Sequence, residues 1–251
     1  MQDETKPGTQ GHKHASSVTK RTTDLPEERD RNTLTLTPGN LLTGLSIFQI
    51  DQPHQQTLAY GALATAREER PEEGRRSSAV FRGTGGRDVA LFTQWMSLQA
   101  YEQAPQTLMK PPKPDLYQIA LVDHISGQGA SHLAIEEGLF HFINVFSLVP
   151  GKRDDLIDFF EHTIRIVRMQ PGYVSTNLLV SLDDRHAANI GQFKTRQDFQ
   201  AMVRRPRVLL ALAQVLRRQI VRRPPRLRQY DLLDVSLYQN TQVSIPRRSN
   251  P

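Results

Sequence analysis

The sequence predicts an α+β fold made of two tandem copies of a split βαβ unit, on three observations. Strand and helix patterns between Phe140 and Leu237 run in the order strand, helix, strand, strand, helix, strand. The first half repeats that order from Leu41 to Ile125. The spacing also repeats: Pro53 and Trp95 stand 42 positions apart, Pro150 and Phe193 stand 43. Gln94-Trp95 matches Gln192-Phe193, and each pair has an aromatic six residues beyond it, Tyr101 and Phe199. Together these coincidences mark an internal repeat, each copy in the ferredoxin-like order.

The elements follow in chain order. Residues 1–38 are polar, with almost no large apolar side chains. Such a segment cannot offset its ordering entropy and is expected to be a disordered tail. The first unit is assigned to 39–126. Its apolar run Leu41–Ile50 is a strand, and Leu58, Ala62 and Ala66 have helical spacing after Pro53. Ser78–Arg82 and Asp88–Trp95 are strands on either side of the Gly83–Arg87 loop, Ser97–Met109 is a short helix and Asp115–Ile125 the last strand. Residues 127–138 are read as a linker. The second unit, 139–240, opens with the dense apolar strand Phe140–Val149, which ends at Pro150-Gly151. Leu156, Phe160, Ile164 and Val167 then share one helix face, closed by Pro171-Gly172. Val174–Leu182 alternates with period two, and His186–Phe193 follows after a turn. Thr195 and Asp198 resemble a capping box for the next helix. Pro206 is expected to kink or split that helix, and Pro224-Pro225 to end it. Arg226–Leu237 is the last strand, and 241–251 is a flexible tail.

The segments INVF, PGYVS, SLD, Asn-x-x-Gln-Phe at 189–193 and DFQAM resemble the antibiotic biosynthesis monooxygenase (ABM) family of small α+β barrel proteins. Its best marker is an Asn-x-x-Gln-Trp strand followed by a helix; here Phe193 stands at the Trp position. In the first unit Trp95 is present, but Leu91 stands where Asn is expected. The family forms homodimers whose two sheets face each other as a barrel. The resemblance therefore implies that the tandem units pack as an intrachain pseudo-dimer, a dimeric α+β barrel in one chain.

Composition narrows the chemistry. The 251 residues include no cysteine, which excludes disulfides, thiolate nucleophiles and thiolate metal sites. No run of eighteen apolar residues occurs, so no membrane span is expected, and the first thirty residues lack the apolar core of a secretory signal. A cytoplasmic location is the expectation. The net charge is +6, with nine arginines between Arg204 and Arg228. No nucleic-acid motif accompanies them, so they read as the solvated face of a helix around Val208, Leu209, Leu212, Val215 and Leu216. The histidines show no HxH or HExxH spacing, and no metal site is assigned.

Candidate site residues come from strand alternation. Asn189, Gly191 and Phe193 share one face, while Ile190 and Gln192 oppose them. Gln94 and Gln192 are read as structural, facing the opposite sheet. Asn144 alternates in phase with Phe140, Phe142 and Phe146 and is either a satisfied structural amide or a ligand to a substrate carbonyl or to dioxygen; Ile47 is taken as its counterpart. The resemblance implies that the Asn and Trp positions line a pocket between sheet and helices. Catalytic candidates are Asn189, Asn144 and Trp95, with Phe193, Phe142, Phe146, His141 and Tyr101 as substrate-binding candidates. Trp95, Tyr101, Phe199 and His141 also suit plain core positions. We place the active site in the second unit.

The resemblance implies an oxygenase for a phenolic polycyclic, polyketide-type substrate. Its reaction would be oxidation of an anthrone or naphthol to a quinone by O2, with no cofactor. One alternative is reduced-flavin-dependent ring-opening of an angucycline-type polyketide, as in similar two-unit proteins; another is a non-catalytic binding protein with two degenerate pockets. Haem degradation would require a histidine on the helix after the Trp strand, and Ser97–Met109 and Thr195–Arg205 hold none. The expected partners are a small aromatic polyketide, O2 and a second copy of the two-unit chain, with neither membrane nor nucleic acid.

Overall fold

The computed structural model describes residues 33–39, 41–50, 56, 57, 59–61, 73–104 and 115–238. Ten strands are present among them: β1 (Thr33–Leu36), β2 (Leu42–Gln49), β3 (Arg75–Gly83), β4 (Asp88–Trp95), β5 (Asp115–His124), β6 (Ser131–Ala134), β7 (Phe140–Ser147), β8 (Tyr173–Ser181), β9 (His186–Phe193) and β10 (Arg226–Leu237). The helices are α1 (Leu98–Gln103), α2 (Arg153–Val167), α3 (Arg196–Val203) and α4 (Pro206–Arg217). Residues 56, 57 and 59–61 are also helical; the rest of the helix expected after Pro53 lies outside the described residues, as do the end of the Ser97–Met109 helix, residues 1–32 and residues 239–251. No described helix is long and apolar enough to cross a membrane.

Eight strands close into a barrel in the order β10-β3-β4-β2-β5-β8-β9-β7. Two ferredoxin-like units, β2–β5 and β7–β10, make it as an intrachain pseudo-dimer, each lending its last strand to the other. β5 pairs with β2 only from Asp115 to Tyr117, then with β8 through His124. β10 pairs with β7 from Arg226 to Tyr230, then with β3 through Leu237. Closure leaves the barrel no unpaired edge.

The two units repeat in register at an offset of 98. Leu42 pairs with Trp95 as Phe140 pairs with Phe193. On the inner face Ser77 Oγ donates to Gln94 Oε1 at 2.7 Å, and Ser175 Oγ donates to Gln192 Oε1 at 2.5 Å.

Inside the barrel lies a two-stranded ribbon of β1 and β6, with Leu34 opposite Leu133 and Thr35 opposite His132. Leu34, Leu36 and Leu133 are fully buried among Phe81, Phe92, Ile143 and Tyr230. Burial of each contributes about 1.5–3 kcal/mol. The two glutamines hold the ribbon: Gln94 Nε2 donates to the Thr35 carbonyl at 3.4 Å and Gln192 Nε2 to the His132 carbonyl at 2.8 Å. They reach the ribbon rather than the opposite sheet.

These facts correct two sequence expectations. Residues 33–36 of the expected tail and 131–134 of the expected linker are strands. Neither four-residue piece buries anything alone; each gains its partner and its apolar surroundings only once the barrel has closed.

Thr195 Oγ1 caps α3 by accepting from the Asp198 N–H at 3.1 Å. Pro206 splits the following helix and opens α4 at its first turn, where proline's missing N–H costs nothing. α4 ends at Arg217, ahead of Pro224; Gln219, at φ +53°, turns the chain away.

If the ribbon is barrel core, Leu34→Ala and Leu133→Ala should each lower unfolding stability by about 2–4 kcal/mol. Denaturant titration measures this, and a loss under about 0.5 kcal/mol for both would remove the ribbon from the core.

Candidate active site

Between the outer face of the second unit's sheet and α2, α3 and α4 lies a cavity of about 330 Å³. Its floor is set by register. On β7, Phe142, Asn144 and Phe146 point outward; on β9 their direct partners are Gly191, Asn189 and Ala187. Side chains so paired stand about 4.5–5.5 Å apart at Cβ, so the two carboxamides lie side by side.

The small partners make the space. A Cβ on Gly191 would come within 2.2 Å of the Phe142 ring, so glycine here lets the ring lie across the strand. Phe142 then stacks on Phe199 at 4.7 Å between centroids. The roof is apolar: Phe159, Phe160 and Ile164 of α2 face Val208, Leu212 and Val215 of α4, and Pro224, Pro225 and Leu227 close one end.

Against these walls the polar groups are few: Asn144, Asn189, Thr163 and Thr176. None of the described lining residues is ionisable. The Oδ1 atoms of both asparagines are buried without a hydrogen-bond partner. Buried amides are nearly always satisfied, and two unsatisfied ones side by side are suited to a ligand. Because N and O of a carboxamide interchange by a flip, each can offer either a donor or an acceptor.

The candidates from sequence are distributed as follows. Asn144, Asn189, Phe142 and Phe146 line this cavity. Phe193 is fully buried behind it, edge-on to Tyr173 and Phe199, and does not reach its surface. Trp95 and Tyr101 belong to the first unit, where their rings meet edge to face at 5.5 Å. Trp95 Nε1 donates to Thr93 Oγ1 at 3.0 Å, so its polar group is already engaged. Neither lines the cavity. In the first unit, Ser46 and Leu91 are register partners at the places of Asn144 and Asn189. This replaces Ile47, which faces the barrel interior, as the counterpart of Asn144. Gly44 and Thr93 likewise stand where Phe142 and Gly191 do.

His141 is a correction. It alternates out of phase with Phe142 and faces the barrel interior, edge-on to Phe81 at 5.6 Å. Gln192 Nε2 lies 3.1 Å from its Nε2, and a neutral ring accepts that bond. Burial lowers its pKa to about 4. Thr163, Thr176 and the Pro224-Pro225 wall were not found from sequence, though Thr176 alternates with Leu178 in the same strand. Among the described residues no three His, Cys, Asp or Glu side chains converge to hold a metal ion.

Residues 139–214 match the family described as Antibiotic biosynthesis monooxygenase, a stretch holding both asparagines and most of the cavity wall. The tetracenomycin-F1 monooxygenase of Streptomyces glaucescens is 35% identical over 71 residues, 28% of this chain and 63% of that protein. An anthrone oxidase-like protein superposes with a TM-score of 0.72 at 17% identity, over 81% of this chain and 96% of the other. A Fusobacterium nucleatum protein provisionally named a monooxygenase gives 0.56 at 7% identity, over 79% and 95%. At such identities the structural likeness establishes the fold alone.

His141 makes acid stability testable. Its folded pKa lies below the unfolded value near 6.5, so above pH 6.5 both states are neutral and nothing is lost. As pH falls from 6.5 to about 4 the unfolded chain binds a proton that the folded chain refuses. Stability should fall by roughly 3 kcal/mol over that window. His141→Gln should remove this part of the decline, read from denaturant midpoints of both proteins across the window.

Proposed function

We propose that this chain is an oxygenase that oxidises a phenolic polycyclic, polyketide-type substrate with O2 in the cavity of its second unit, without a cofactor. The observation that carries this is the Asn144–Asn189 pair: two carboxamides with unpartnered oxygens, side by side in an aromatic cavity with no ionisable side chain among its described lining residues. The match of residues 139–214 to the monooxygenase family supports the same reading.

The chemistry follows from what the cavity has and lacks. A flat ring system fits between Phe142, Phe146 and the apolar helices. With no ionisable side chain among the described lining residues to act as base, the substrate ionises in this reading by its own acidity, its proton passing to water at the mouth. The carboxamide N–H groups then hold the enolate or phenolate oxygen, a charge the apolar walls alone would disfavour. The electron-rich carbanion passes one electron to O2, and recombination of the radical pair forms the C–O bond of a peroxide. Protonation gives a hydroperoxide, and loss of water leaves the quinone carbonyl. One oxygen atom stays in the product and the other leaves as water. The first unit, with Ser46 and Leu91 at the corresponding places, serves in this reading as the packing partner that completes the barrel.

The direct test is to mix the purified protein with an anthrone in air and follow quinone absorbance, with and without reduced flavin. Turnover without flavin is expected; strict flavin dependence would replace this reading with the flavin-dependent one. Asn189→Ala should lower turnover more than about tenfold while the fold persists, because a donor to a developing oxyanion contributes ~2–4 kcal/mol. Trp95→Phe should cost almost no activity. Activity lost with Trp95→Phe and kept with Asn189→Ala would move the site to the first unit.

The pH profile is a separate check. The rate should rise along the ionisation curve of the substrate itself and shift when a more acidic anthrone is used. An enzyme-borne base would instead fix the inflection whatever the substrate.

A further inference from the structure

A second cavity, of about 360 Å³, opens at the barrel mouth on the other side of the Pro224 wall. Pro224 borders both cavities, yet their chemistry is opposite. The second is lined by Arg223, Arg226 and Arg228 on one side, and by His186, Asp115 and Tyr117. The only carboxylate among these is already engaged: Tyr117 Oη donates to Asp115 Oδ2 at 3.2 Å, and His186 Nδ1 lies 3.7 Å from the same oxygen. Burial and the neighbouring Asp115 push the Tyr117 phenol up, so it stays a donor. Arg228 is half-buried and stands 3.9 Å from Asp88. Arg223 and Arg226 have no acidic partner among the described residues.

The loop that carries these guanidiniums is held in place. The Arg222 N–H donates to the Ser147 carbonyl at 2.8 Å, and its Nε to the Leu148 carbonyl at 3.1 Å. The Val149 N–H donates to the Ile220 carbonyl at 3.0 Å. Two prolines then fix the backbone between Arg223 and Arg226, and Arg226 and Arg228 enter β10 paired with Val145 and Ile143.

We propose that this cavity is a binding site for a small oxyanion, a phosphate or a carboxylate, held by Arg223 and Arg226. Arg204, Arg205, Arg207, Arg217 and Arg218 are exposed and line neither cavity, so water and salt screen them. Arg223, Arg226 and Arg228 instead line one concavity, where the field is focused and planar forks match oxyanion geometry. The site is independent of the asparagine pair.

Calorimetric titration at low ionic strength with inorganic phosphate, and separately with benzoate, tests this. Saturable one-site binding of at least one probe is expected, weakened by about tenfold or more in Arg223→Gln/Arg226→Gln. Binding should stay within about twofold in Arg205→Gln/Arg207→Gln, which removes equal charge from the α4 start. Arg223→Lys/Arg226→Lys, keeping charge but not the fork, should fall between, and Asn189→Ala should leave binding intact. A preference for phosphate would identify a phosphate-bearing ligand, and one for benzoate a carboxylate. No saturable binding of either probe, or equal loss from both glutamine pairs, would overturn the proposal.

Discussion

β10 pairs with β7 over its first five residues and with β3 over the rest, while β5 makes the converse crossing from β2 to β8. This exchange is the constraint on which the other features depend. It fixes the register of the two sheets, creates the closed interior that the β1–β6 ribbon fills, and brings Arg226 and Leu227 to adjacent places at the rim with opposite orientations. Leu227 faces the apolar cavity while Arg226 lines the polar one. One alternation along a single strand thus separates an apolar cavity from one lined by arginines.

The inner and outer faces of the barrel have diverged differently. Inside, the two units keep equivalent bonds, Ser77 to Gln94 and Ser175 to Gln192, each glutamine also anchoring one strand of the ribbon. A shared interior with a shared plug ties these positions together. Outside, each face meets its own helices and is free to differ: Phe142, Gly191, Asn144 and Asn189 on one unit become Gly44, Thr93, Ser46 and Leu91 on the other. Only the first set combines an aromatic floor with two carboxamides.

Much of this was legible in the sequence. The strands announced themselves by period-two alternation and by proline and glycine at their ends, and Arg226–Leu237 and His186–Phe193 have the bounds read from sequence. The asparagine pair was legible because each residue is in phase with aromatic neighbours. Three things were hidden. The ribbon strands TLTL and SHLA are too short to signal burial, and the barrel that buries them comes from residues distant in sequence. His141 sits among phenylalanines but one step out of phase, so its surroundings depend on which face of β7 is interior. The Pro224-Pro225 pair read as a helix terminator, and its role as a wall between two cavities depends on the loop's bonds to the end of β7.

In the proposed reading Asn144 and Asn189 stabilise an anion inside apolar walls. A hydroxyanthraquinone, already oxidised and with a phenol that can be titrated by absorbance while bound, reports on this most directly. Apolar walls alone raise the pKa of a buried phenol, whereas donors aimed at its oxygen lower it. The expected result is a bound pKa below the value in water, rising above it in Asn144→Ala/Asn189→Ala. A bound pKa above the free value in the unaltered protein, or one unmoved by removing both amides, would contradict the claim.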